Sequence, residues 1–79
     1  MLTSIDWASC PIIERDPEKL HGAPTVRGSR ITPDAIVENF NDRLTVAEIL
    51  EQFGGITQED VLTVLDHAAK QGFLAHPVG

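Results

Sequence analysis

A single cysteine, no apolar run longer than three residues, and only six basic side chains set the first limits on this 79-residue sequence. One cysteine, Cys10, closes no internal disulfide and builds no metal cluster. Apolar runs this short exclude a bilayer span and the core of a signal peptide, so the expected location is the cytoplasm, with no membrane partner. His21, His67 and His76 are scattered without ligand spacing, so neither zinc nor any other metal is expected. Gly22 and Gly28 lack the strand-to-helix setting of a phosphate-binding loop, and no cofactor is expected. Glu59 and Asp60 are neighbours on a helix and point about 100° apart, so they form no facing acid–base pair. Cys10 precedes Pro11 with no histidine nearby, which suits a small apolar filler better than a nucleophile. No catalytic residue is assigned, and the chain is read as a non-enzyme.

What is present is enough for one small globular domain, since 42% of the residues are hydrophobic. A chain of this size buries only about 60–65% of its unfolded surface, so pairing with another chain is expected to add stability. Charge is unevenly placed within the net −6. Residues 1–31 balance four acidic side chains with four basic ones, whereas residues 32–79 carry eight carboxylates against Arg43 and Lys70 alone. A surface of that sign repels phosphate backbones and membranes and attracts basic partners, although it also serves plain solubility.

Three stretches follow from the local signals. Residues 1–31 read as an extended or β arm. Cys10–Arg15 forms one short strand, Asp16-Pro17-Glu18-Lys19 a turn, and Thr25–Arg27 a second strand, with Trp7 awaiting a cover. Residues 32–72 read as three helices. Thr32-Pro33-Asp34 offers a capping hydroxyl, a proline at the first helical position and a carboxylate at the positive pole, and that helix ends near Asn41. Thr45 with Glu48 forms a capping box ahead of the apolar stripe Val46, Ile49, Leu50 and Phe53, and Gly54-Gly55 ends the helix. Thr57 with Asp60 opens the third helix, whose core side is read as Val61, Leu62, Leu65, Ala68 and Ala69, with a stop at Gly72. In residues 73–79, Phe73-Leu74 folds back on the core and His76–Gly79 frays.

Two short helices around a glycine-bearing turn have the outline of a helix-turn-helix. With the helix before them, they form a mainly α, three-helix homeodomain-like bundle. The second helix of that motif begins with adjacent carboxylates, which oppose phosphate contact, although Gln58 is suited to reading adenine and Thr63 lies on the outward side. The basic groups gather instead at Arg27-Gly28-Ser29-Arg30. There the arginines either tie the arm to the helices through Glu38 or Asp42, or contact phosphate or an acidic partner. The candidate nucleic-acid- or partner-binding residues are therefore Arg27, Ser29, Arg30, Arg43, Gln58 and Thr63.

His21–Ile31, Leu44–Leu50 and Ile56–Val61 together resemble the domain-of-unknown-function family numbered 433, with Gly22–Ile31 the most specific stretch. His21-Gly22 stands where that family often has a glycine pair, and Asp42-Arg43-Leu44 replaces its usual glycine before the second helix. The resemblance implies a helical fold with a small β element and a prokaryotic antitoxin of a type II toxin–antitoxin pair, partnered by a PIN-like nuclease. It assigns no catalytic residue. Two functions are carried forward. One is an antitoxin-like homo-oligomer that binds a PIN-like toxin and operator DNA. The other is a stand-alone oligomerisation or adaptor domain without a nucleic-acid role.

Overall fold

In a computed structural model, residues 4–78 are described. β1 (Ile13–Arg15) and β2 (Pro24–Val26) form an antiparallel pair in the register Ile13 to Val26, Glu14 to Thr25 and Arg15 to Pro24. Arg27 N–H donates to the Ile12 carbonyl at 2.8 Å. Hydrogen-bonded pairs alternate along an antiparallel ladder, so Pro24 falls where no ladder N–H is required. Both strands are shorter than the sequence signals suggest, because Pro11 and Pro17 bracket the first and Gly28 turns the second. The connection contains a 3-10-type turn, Leu20–Gly22, with all three residues in the left-handed region.

Three helices follow: α1 (Pro33–Asn41), α2 (Val46–Gln52) and α3 (Gln58–Lys70). Thr45 and Thr57 both close the expected capping boxes, each hydroxyl accepting from the amide three residues on. Thr32 does not cap with its hydroxyl. Its backbone carbonyl accepts from Ala35 N–H instead, and Pro33 at the first position leaves one fewer amide to satisfy. α3 ends in a Schellman motif with Gly72 left-handed, Gly72 N–H on the Ala69 carbonyl and Phe73 N–H on the Ala68 carbonyl. α1 ends in the same motif, with Arg43 N–H on Phe40 and Leu44 N–H on Asn39, but the left-handed position is held by Arg43 at φ 77°.

Both α1 and α2 pack on α3, and β2 rests on α1. The centre consists of Val26, Ile36, Ile49, Val61, Val64 and Leu65, all fully buried, with Trp7, Cys10 and Ile12 closing one side. Leu62 and Ala69 stand outside this core and Val64 inside it, contrary to the expected α3 face. The helix turns Val61, Val64, Leu65 and Ala68 inward, and one face of a 3.6-residue period cannot also contain Leu62 and Ala69. No helix among the described residues is long and apolar enough to cross a membrane.

Candidate functional site

The first feature of the surface is its charge. Glu38 on α1, Asp42 just past its C-terminus, Glu51 on α2 and Glu59 on α3 are exposed and make no side-chain hydrogen bond or ion pair among the described residues. Four other carboxylates of the helical unit are engaged within it. Asp34 accepts from Trp7, Glu48 and Asp60 complete the capping boxes, and Asp66 pairs with Lys70. Hydrogen bonds from the Thr45 backbone and hydroxyl region hold the Glu48 carboxyl below its ordinary value. The unit therefore presents negative charge that its own fold leaves unneutralised.

Arg27 and Arg30 are exposed at the loop joining β2 to α1. Neither reaches Glu38 or Asp42: the ion pairs among the described residues are Lys19 with Glu14 and Lys70 with Asp66. The loop is held by its backbone instead. Ser29 Oγ donates to the Val26 carbonyl at 2.7 Å and accepts from Ile31 N–H, while Val26 N–H closes onto the Ile31 carbonyl. Gly28, left-handed at φ 73°, gives its N–H to Glu14, whose carboxyl is held low chiefly by Lys19 and then by that amide. Ser29 thus builds the loop, and neither guanidinium group is paired with a carboxylate among the described residues.

The remaining candidates lie elsewhere. Arg43 lines an open groove of about 390 Å³ with Phe40, Leu44, Val46, His76 and Pro77. Gln58 is exposed at the start of α3, and Thr63 Oγ1 donates back to the Glu59 carbonyl at 2.9 Å, a bond internal to the helix. Arg27, Ser29 and Arg30 share the β2–α1 loop and Gln58 and Thr63 share α3, whereas Arg43 stands apart. Among the described residues no group of three or more His, Cys, Asp or Glu side chains is placed to hold a metal.

Two clusters went unnoticed in the sequence. Trp7 Nε1 donates to Asp34 Oδ1 at 3.1 Å, and the Gln71 side-chain amide grips Asp6, accepting from its N–H at 2.8 Å and donating to its carbonyl at 2.9 Å. The tail does not fray at His76. Its Nε2 donates to the Phe40 carbonyl at 2.9 Å, and its ring stacks on Phe40, while Asn41 bonds both Phe73 and Ala75. The i, i+4 spacing of His67 and Gln71 was the available signal for the first cluster. The second carried no local signal.

Residues 13–68 match the family model described as "Protein of unknown function (DUF433)", and the chain belongs to that family. No curated protein and no solved structure matches it.

Proposed function

For this member of the DUF433 family, we propose the role of a non-catalytic, antitoxin-like protein that self-associates and covers a basic partner of the PIN-like nuclease class with its helical unit. The observation that carries the reading is the set of exposed carboxylates Glu38, Asp42, Glu51 and Glu59, which have no side-chain partner among the described residues. Such a surface suits a groove that otherwise holds RNA, because it presents the same sign of charge as the phosphates it displaces. The test is co-expression with the product of the adjacent gene. A stable complex that relieves growth inhibition is the expected result. A soluble neighbour that neither binds nor slows growth overturns the reading in favour of the oligomerisation or adaptor domain.

A second reading, operator DNA as a further partner, draws on the exposed Arg27 and Arg30, which have no carboxylate partner among the described residues. Contact with phosphate through these groups makes a mobility shift on the chain's own promoter weaken as salt rises, and Arg27→Ala with Arg30→Ala flattens that dependence. A shift indifferent to salt contradicts it. Gln58 and Thr63 contribute little on this reading, because α3 opens with Glu59 and Asp60 and the Thr63 hydroxyl is already bonded.

A further inference from the structure

α3 carries more apolar side chains than the core takes up. Val61, Val64, Leu65 and Ala68 are buried, whereas Leu62 and Ala69 remain outside. Residues seven apart lie on the same side of a helix two turns along, so Leu62 and Ala69 form a second, outward stripe. The C-terminal tail brings Pro77 and Val78 beside it, and these four with Asp66 line an open groove of about 420 Å³. Leu62 and Val78, at 38% and 37% exposure, are two of the three large hydrophobic residues exposed among those described. Beside this stripe runs the Lys70–Asp66 ion pair, 3.0 Å apart, with both side chains mostly in solvent.

This face differs from the acidic surface of the proposed function. It is apolar, and it carries one cation and one anion a single turn apart. Reversing the helix direction reverses the order of those charges, so the face is complementary to itself. We propose that it is the homodimer contact: a second copy lays its α3 antiparallel across the first about a two-fold axis. Asp66 of each copy then faces Lys70 of the other, and Leu62 of each lies toward the Ala69 and Val78 end of the other. An exposed intrahelical pair contributes little to the single chain, so exchanging it across the axis is inexpensive. Burial of Leu62 and Val78 supplies the drive. The inference deepens the self-association part of the proposed function and rests on it, while naming a surface other than the N-terminal arm.

The test is sedimentation equilibrium of the full chain across the micromolar range, with circular dichroism on each variant. The wild type sediments as a dimer. Leu62→Glu sediments as a monomer with unchanged helix content, because the substituted side chain already faces solvent. Lys70→Glu weakens the dimer by about tenfold or more by setting like charges opposite each other, and the double variant Asp66→Lys/Lys70→Glu restores it. A dimer unmoved by Leu62→Glu overturns this surface and leaves self-association through another one standing. A dimer lost in Leu62→Glu but indifferent to the charge reversals overturns the antiparallel arrangement. A monomeric wild type overturns both the surface and the self-association, whereas capture of the toxin is scored by co-expression and stands or falls separately.

Discussion

The indole of Trp7 stacks on the imidazole of His67 with ring centroids 5.3 Å apart and planes inclined by 26°. One residue before Trp7, the Asp6 carbonyl lies 2.6 Å from His67 Nε2, at hydrogen-bond distance. With Nε1 on Asp34, Trp7 joins the first turn of α1 to the C-terminal half of α3, and the segment before β1 becomes part of the core.

Trp7→Ala therefore removes a buried aromatic side chain, and is expected to cost about 3–5 kcal/mol, a large share of the stability of a domain this small. Trp7→Phe keeps a stacking ring and loses the hydrogen bond, so its cost is smaller. Urea denaturation followed by circular dichroism measures both. Equal stability of Trp7→Ala and wild type would show that the arm is not docked.

Arg43 holds a left-handed position that costs a non-glycine residue roughly 1 kcal/mol or more. Arg43→Gly is expected to raise stability by about 1 kcal/mol, a gain of about 4–8 °C in thermal midpoint. Arg43→Ala keeps the strain and serves as the control.

The three helix-opening threonines separate cleanly. Thr45→Ala and Thr57→Ala each lose a capping hydroxyl and are expected to cost about 1 kcal/mol. Thr32→Ala loses none and is expected to stay within about 0.5 kcal/mol of wild type. Chemical denaturation of the three variants ranks them, and a Thr32 cost equal to the others contradicts the α1 cap described above.

Thr25 is fully buried on β2, and its Oγ1 has no partner among the described residues. Thr25→Val keeps the shape and removes the unsatisfied hydroxyl, so stability is expected to rise by about 1 kcal/mol. A loss measured by denaturation would reveal a hydrogen bond for that hydroxyl.

Glu14 and Glu48 are held below their ordinary value of 4.5 by hydrogen bonds made in the folded chain, with Lys19 the leading cause for Glu14 and the Thr45 backbone for Glu48. A carboxyl lowered on folding stabilises above its unfolded value and loses that contribution as the pH falls through the folded one. The thermal midpoint is therefore expected to decline as the pH drops below about 4.5. In the double variant Glu14→Gln/Glu48→Gln, the midpoint is lower at neutral pH and the acid limb shallower. An unchanged acid limb removes both groups from the account.

Much of the fold was legible because its signals are local. Pro33, the Thr45–Glu48 and Thr57–Asp60 pairs and Gly72 act within a few residues of themselves, and they placed all three helices. The candidate site was less legible. The arginine loop was visible as a run of residues, but the expected ties from Arg27 and Arg30 to Glu38 or Asp42 do not form, because Ser29 and the Glu14-to-Gly28 bond hold that loop without them.

The order of residues alone determined where the helices begin and end, the excess of negative charge along residues 32–79, and the membership of the strand pair, since capping, proline geometry and charge act at short range. Tertiary packing alone decided which of the two apolar sides of α3 the core would take, so that Val64 went in and Leu62 stayed out. It also decided that Trp7 would cover His67 and that His76 would close on Phe40. Those choices join groups more than thirty residues apart, and no local preference of the chain selects among them.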